Sequence, residues 1–187
     1  MLLTGLLPDI ITDPAIETAI DSVEAGRSGA IVAPVGIRPP LLAAVASRAA
    51  TPLVVLTATG RDAESLTNAL ASWIPGVAML PAWETLPHER LSPQVDTMAR
   101  RIAVLRRLVH PIKGDDSAGP ISVLVVPIRA FLQPIISGLA DLEPVRVRTG
   151  DILDLTETTN RLAELGYERV DMVEGRGQMS VRGGILD

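Results

Sequence analysis

The first 140 residues alternate between two hydrophobic periods, and this alternation restricts the chain to few architectures. Short apolar runs are followed by stretches in which apolar residues recur at helical spacing. The apolar runs predict strands at 30–33, 53–56, 77–80 and 121–126. The helical stretches cover 14–27, 41–50, 62–73 and a region that begins near residue 92. Strands and helices in regular succession predict an α/β domain with a doubly wound, mostly parallel sheet.

A proline-punctuated loop, Pro81–Pro93, leads into the most distinct of these helices. Ser92 is placed to cap the helix N-terminus, with Pro93 at the first helical position. Apolar residues then recur on one face, while Arg100 and Arg107 fall on the opposite face. The apolar face comprises Val95, Met98, Ala99, Ile102, Leu105 and Val109. An amphipathic helix of this kind is expected to bury that face.

The pattern changes near residue 144, so we divide the chain into two domains. Residues 1–143 form the α/β domain, and 144–187 begin a small α+β domain. Val145–Arg148 alternates apolar and charged residues, which predicts a strand with one face in solvent. Asp154–Leu165 predicts a helix, because its ends carry capping residues. Those capping residues are Asp154, Glu157 and Gly166.

Two more strand-like segments follow, at 167–173 and 179–186. The sequence ends within the last of them, and its apolar side chains would face a sheet whose other strands lie elsewhere. We therefore expect this chain to be part of a larger protein. An open strand edge of this kind can pair with a neighbouring chain, as in a dimer or a domain swap.

Composition excludes several classes of function. The formal net charge is −5, and the four aromatic residues are scattered, so direct binding of DNA or RNA by this segment is not expected. Cysteine is absent, which excludes disulfides and thiolate zinc sites. His88 and His110 lack metal-ligand spacing, so no metal is expected either. Neither a signal peptide nor an apolar run of membrane-spanning length is present, which predicts a cytoplasmic protein.

The turn after the first predicted strand is where an α/β nucleotide-binding protein carries its phosphate loop. Such a loop needs glycines, a lysine for the phosphates and a serine or threonine for magnesium. This chain has Gly36, Arg38, Pro39 and Pro40 there, and the two prolines have no N–H to donate. The turn is therefore interpreted as a degenerate loop, and no cofactor is predicted in this chain.

Three other groups of polar residues have both a chemical and a structural interpretation. The turn Thr57–Asp62 suits a ligand, but it also suits a strand end followed by a helix cap. The loop Trp83–Arg90 holds Glu84, His88 and Glu89, yet it offers only Thr85 or Ser92 as a nucleophile. Structural docking of Trp83 and Leu86 is favoured for this loop. Four arginines of the long helix either bind phosphate or form its solvated face, and the solvated face is favoured. These are Arg100, Arg101, Arg106 and Arg107.

Arg182 lies between Val181 and a glycine pair, Gly183 and Gly184, in the last predicted strand. Strand alternation sends it to the face opposite Val181. The glycines leave room for the backbone of another chain, and a guanidinium can bind a partner carboxylate through two parallel hydrogen bonds. An intramolecular salt bridge is the alternative, and the residues alone leave both interpretations open.

Two stretches of the sequence resemble the N-terminal region of bacterial transcription-repair coupling factors. One runs from Leu80 through the W-E-T-L-P motif at 83–87 to Ser92-Pro93, Asp96 and Arg101. The other joins L-G-Y-E-R-V-D at 165–171 to V-R-G-G-I-L-D at 181–187. The resemblance covers roughly residues 30 to 187. That region of the family is similar to the excision-repair protein UvrB, a motor-like α/β domain with a small inserted domain.

The resemblance implies a non-catalytic interaction module. Its small domain would dock the damage-recognition protein UvrA, with Arg182 and Gly183 at the contact, although UvrB-type sequences carry an arginine where Ser180 stands here. The module would recruit UvrA to stalled RNA polymerase. It would also help to autoinhibit the parent DNA translocase by packing against its C-terminal domains. ATP, magnesium, DNA and RNA polymerase would be bound only by other parts of the parent protein.

Two alternatives of other classes stay open at this stage. The chain could be a nucleotide-dependent motor fragment, although the missing lysine and serine or threonine oppose this. It could also be a small-molecule α/β enzyme that uses Thr59, His88 or Glu89.

Overall fold

A computed structural model describes residues 2–85 and 94–187. These residues form seven α-helices and seven β-strands, with short 3₁₀ helices at Thr4–Leu6, Val35–Ile37 and Leu139–Asp141. The helices are α1 (Leu7–Ile11), α2 (Pro14–Glu24), α3 (Arg38–Arg48), α4 (Gly60–Leu70), α5 (Val95–Val109), α6 (Ile128–Phe131) and α7 (Leu155–Glu164). The strands are β1 (Leu53–Thr57), β2 (Val77–Met79), β3 (Val123–Pro127), β4 (Glu168–Arg169), β5 (Gln178–Met179), β6 (Val181–Arg182) and β7 (Ile185–Leu186). None of the described helices is both long and apolar enough to cross a bilayer.

The principal sheet is parallel and has the strand order β1-β3-β2. Val123 lies between Leu53 of β1 and Val77 of β2, so β3 is bonded on both edges. All five residues of β3 are buried, as expected for a central parallel strand. The sheet confirms the predicted α/β class.

Helices cover both faces of this sheet. On one face, α3 and α4 pack on Val123 and Val125. On the other, Val104 of α5 and Ala130 of α6 pack with Leu124 and Val126. Helices α1 and α2 add a third cluster against the outer side of α3. This arrangement confirms the doubly wound pattern.

The predicted strand at 30–33 does not form. Residues 27–34 have no regular structure, and Val32 is fully exposed. Local apolar character does not make a strand by itself, because strand hydrogen bonds need a neighbouring edge at the right position. The three strands of the principal sheet pair with one another and not with this segment.

Helix α5 begins at Val95, with Gln94 at the N-cap, so the predicted cap at Ser92 is wrong. Ser92 and Pro93 lie outside the described residues. Of the predicted apolar face, Leu105 is buried as expected, but the other buried residues of α5 are Thr97, Arg101 and Val104. Val95, Met98 and Ile102 instead line an open groove of about 910 Å³ beside Leu162 and Tyr167.

The C-terminal part, 144–187, differs from the prediction in two places. The segment 145–148 lies in irregular structure and not in a strand, because no other strand lies alongside it. The predicted strand at 179–186 is interrupted, since Gly183 and Gly184 turn the chain back on itself. Helix α7 follows the prediction closely. The division at residue 144 stays a prediction.

Candidate functional site

The candidate site is the C-terminal hairpin, in which β6 pairs antiparallel with β7. Val181 lies opposite Leu186, and Arg182 lies opposite Ile185. Gly183 has φ +61° at the first turn position, which is what a type II′ turn requires and what other residues avoid. The glycine pair therefore makes a tight turn, and the space around both glycines is open.

Backbone hydrogen bonds continue the hairpin by one further pair. The N–H of Ser180 donates to the carbonyl of Asp187 at 3.1 Å, and the N–H of Asp187 donates back at 2.9 Å. Ser180 is buried, and its hydroxyl donates to the carbonyl of Asp171 at 3.1 Å. An arginine in place of Ser180 would have to displace this contact. The serine therefore anchors the hairpin, while the Arg182 side chain is largely exposed to solvent.

Arg182 and Gly183 lie where a partner could reach them. The Arg182 side chain is 61% exposed, and Ile185 beside it on the same face is 64% exposed. The guanidinium donates from Nη2 to Oδ2 of Asp187 at 2.9 Å. Such an exposed pair contributes little to stability, because solvent and salt screen it. The intramolecular salt bridge is thus present, and among the described residues the guanidinium makes no second hydrogen bond.

Asp187 was not singled out by the sequence analysis. A glycine pair flanked by apolar residues is a known hairpin signal, and it would have placed Asp187 near Arg182. A single continuous strand over 179–186, as predicted, would keep Arg182 and Asp187 apart. A hairpin brings them together because Ser180 and Asp187 form the next cross-strand pair.

Helix α7 and the strands β4 and β5 precede the hairpin in the C-terminal part of the chain. Asp154 caps α7, since its carboxylate accepts from the N–H of Glu157 at 2.9 Å. At the other end, Gly166 adopts φ +89°, and the N–H groups of Gly166 and Tyr167 donate to Ala163 and Leu162. These two bonds form a Schellman motif. The caps predicted at Asp154 and Gly166 are confirmed.

The residues of the proposed degenerate phosphate loop have a simple local structure. Gly36 lies in the 3₁₀ helix Val35–Ile37, and Arg38 starts α3. Pro39 and Pro40 occupy its first turn, where a missing N–H costs nothing to the helix but removes donors from any phosphate. Because residues 27–34 are not a strand, this turn does not follow a strand as predicted.

The turn Thr57–Asp62 serves as a helix cap. Thr59 is the N-cap of α4, and its hydroxyl accepts from the N–H of Asp62 at 3.1 Å. The same hydroxyl contacts the Asp62 carboxylate at 2.7 Å. Thr59 is therefore engaged in the cap that the structural interpretation predicted. His88 and Glu89, the other residues of the enzyme alternative, lie outside the described residues.

Trp83 is held by contacts from α5 and from the turn that follows α6, as the structural interpretation of its loop predicted. The Arg101 guanidinium stacks on the Trp83 ring at 4.4 Å from its centroid. Gln133 accepts from the Trp83 N–H at 2.8 Å and donates to its carbonyl at 3.3 Å. Thr97 donates to Glu84, and this bond lowers the pKa of the Glu84 carboxyl. Leu86, also predicted to dock, lies outside the described residues.

The four arginines of α5 do not form one solvated face. Arg100 does lie in solvent and pairs with Asp96 at 2.8 Å. Arg101 is buried, and its Nη1 donates to the carbonyl of Pro81 at 2.6 Å. Burial lowers the pKa of Arg101 and of Arg107, because desolvation penalises the charged form. Arg106 and Arg107 donate to backbone carbonyls of Leu142 and Gly119.

Comparison with known proteins places this chain among the bacterial excision-repair factors. Residues 145–187 match the family model of the UvrB interaction domain. The chain is 48% identical over 160 residues to the transcription-repair-coupling factor of Mycobacterium tuberculosis, covering 84% of this chain and 13% of that protein. It is 28% identical over 149 residues to the factor of Escherichia coli, covering 79% of this chain and 12% of that protein.

A more distant relative extends the comparison to a second class of repair protein. UvrABC system protein B of Vibrio parahaemolyticus is 27% identical over 158 residues, covering 78% of this chain and 23% of that protein. The chain thus spans about 13% of the length of the mycobacterial relatives that it matches. Over most of its own length, this chain is homologous to the N-terminal region of the transcription-repair-coupling factors, and it carries a UvrB interaction domain at residues 145–187.

Proposed function

We propose that this chain is a non-catalytic docking module that binds UvrA through its C-terminal hairpin. The observation that carries the proposal is the match of residues 145–187 to the UvrB interaction domain. The exposed hairpin lies within that match, and Arg182 and Gly183 form its accessible corner. Arg182 would bind a carboxylate of UvrA, and the Gly183 turn would let the partner approach closely.

The contact of Arg182 with Asp187 supports this role. The exposed pair holds the guanidinium in one orientation with donors still free, so a partner carboxylate can be added or can replace Asp187. Ile185 lies beside the guanidinium and offers apolar area at the same place. An arginine next to an apolar residue on an exposed, rigid turn suits an interface anchor.

The wider role is proposed for the protein of which this module forms a part. There the module would recruit UvrA to stalled RNA polymerase and would pack against C-terminal domains to restrain the DNA translocase. ATP and magnesium, DNA and RNA polymerase would be bound by other parts of that protein. Arg38, Pro39 and Pro40 at the start of α3 support a chain that does not itself use nucleotide.

The test is equilibrium binding of the 187-residue chain to purified UvrA, comparing wild type with Arg182→Ala. We expect the variant to bind about thirtyfold more weakly, which corresponds to the ~2 kcal/mol typical of an interface anchor. Arg161→Ala is the matched control, because Arg161 is also exposed and also pairs with a nearby carboxylate, Glu164 at 3.0 Å. The control should bind like wild type.

Two results would contradict the proposal in different ways. Equal binding by wild type and Arg182→Ala would move the contact away from the hairpin while keeping the docking role. An absence of binding by folded wild-type chain would contradict the docking role itself. Circular dichroism of each variant excludes loss of fold as the cause.

A further inference from the structure

A second polar site lies away from the hairpin, between the C-terminal half of α5 and the chain that leaves the α/β domain. It is a cavity of about 410 Å³, within the range of small-molecule sites. One wall is α5 together with the loop at 115–118, and the other is the irregular segment 144–148. We call it the arginine pocket. Its ionisable lining residues are Arg106, Arg107, His110, Asp115, Arg146 and Arg148.

The charge of the arginine pocket is opposite to that of the chain. Four guanidinium groups line it against one carboxylate, although the whole chain carries a formal charge of −5. Further carboxylates lie next to the pocket, among them Asp151, which accepts from the N–H of Arg148 at 2.8 Å. Asp141 contacts His110 at 2.7 Å, and Glu143 lies 3.9 Å from Arg106. The side chains that line the pocket therefore carry an excess of positive charge, and these neighbouring carboxylates lie outside that lining.

The one lining carboxylate is already engaged. Oδ1 of Asp115 accepts from the N–H and hydroxyl of Ser117 and from the N–H of Ala118, at 2.7–2.9 Å. These bonds, led by the Ser117 hydroxyl, lower the pKa of Asp115 to about 2. Only Oδ2 is left for Arg146, at 3.4 Å. Asp115 is therefore ionised at neutral pH, and its single charge balances one of the four guanidinium groups.

Several guanidinium donors remain for a ligand. Arg107 donates from Nε to the carbonyl of Gly119 at 2.8 Å, which leaves its terminal nitrogens. Within the described part of the chain, Nε of Arg106 is buried without a hydrogen-bond partner. Over the same residues, the Arg148 guanidinium makes no ion pair. A buried donor without an acceptor costs free energy that a bound anion would recover.

We propose that the arginine pocket binds a small polyphosphate anion. Phosphate oxygens accept the paired, planar donors of several guanidinium groups at once, and a polyphosphate carries enough charge to engage arginines on both walls. A DNA duplex fits less well, because it needs a row of cations along an open surface and an overall basic balance. The site is independent of the proposed UvrA contact at Arg182.

The test is isothermal titration calorimetry, in which inorganic pyrophosphate is added to the 187-residue chain at low salt. The variant carries Arg146→Gln and Arg148→Gln, which lie on the irregular wall and support no helix or strand. We expect pyrophosphate affinity to fall at least about tenfold, because two charge-assisted contacts are lost. The matched control carries Arg161→Gln and Arg169→Gln, two exposed arginines outside the pocket. It makes the same change in net charge and should lose less than about twofold.

Three outcomes would overturn the proposal. One is the absence of pyrophosphate binding to folded wild-type chain at roughly millimolar concentration, the weak limit of specific affinity. Another is an equal loss in both double variants, which would indicate only a general charge effect. The third is arginine-dependent binding of a short DNA duplex without pyrophosphate binding, which would assign the pocket to nucleic acid.

Discussion

The two parts of this molecule are stabilised in different ways. Residues up to about 130 contribute all three apolar clusters, and the central strand β3 is buried throughout. In the part 145–187, the buried residues within the described chain are Thr158, Met179 and Ser180. Helix caps, a Schellman motif and short strand pairs hold that part instead. The first part is stabilised by a buried core, whereas most side chains of the second part are at the surface.

The largest expected contrast comes from the same truncation made in each part. Leu70 of α4 is fully buried in the core under the sheet, whereas Leu162 of α7 is only partly buried beside the open groove. Leu70→Ala should lower the free energy of unfolding by about 3 kcal/mol, because it leaves a cavity. Leu162→Ala should cost less than about half of that. Denaturant unfolding measures both, and similar losses would refute the contrast.

The next contrast lies within α5. Arg101→Ala removes the stack on Trp83 and the bond to Pro81, and we expect a loss of about 2–4 kcal/mol. Arg100→Ala, one position earlier, removes only an exposed pair with Asp96 and should cost less than about 0.5 kcal/mol. Urea unfolding, monitored by tryptophan fluorescence, measures the loss in the free energy of unfolding and reports on the environment of Trp83. If both variants behave like wild type, the buried arginine is not a support for the Trp83 loop.

The smallest expected effects come from the two helix caps, one in each part. Thr59→Ala in α4 and Asp154→Ala in α7 should each cost about 1 kcal/mol. The two variants should differ in which part of the chain loses stability. Because α7 has little core beneath it, Asp154→Ala should reduce amide-exchange protection mainly within 155–164, whereas Thr59→Ala should lower global stability. A global loss from Asp154→Ala would mean that the two parts unfold as one unit.

Local chemistry explains which elements the sequence predicted well. Asp154 and Gly166 bracket α7, and Thr59 caps α4, because a cap depends only on residues three or four positions away. The strands β1, β2 and β3 were found because each is a short, continuous apolar run between helices. The same reasoning failed at 30–33, where an equally apolar run found no neighbouring edge.

The candidate sites were likewise predicted only in part from the sequence. Arg182 and Gly183 were named from the sequence, but the pair formed by Arg182 and Asp187 depends on the hairpin turn. The sequence offered Arg106 and Arg107 as phosphate-binding candidates, but it could not join them to Arg146 and Arg148, since Arg106 and Arg148 are 42 positions apart. Only the packing of the segment 144–148 beside α5 brings them to one cavity.

The sequence by itself determined the α/β class, the ends of the capped helices and the relationship to the coupling factors, because these depend on local spacing and on motifs. The tertiary structure decided which apolar runs became strands and which face of α5 was buried. It also decided that Arg101 would be a core residue and not a solvated one. The reason is physical: burial and strand pairing are properties of distant neighbours, and a residue's type does not specify which neighbours it will meet.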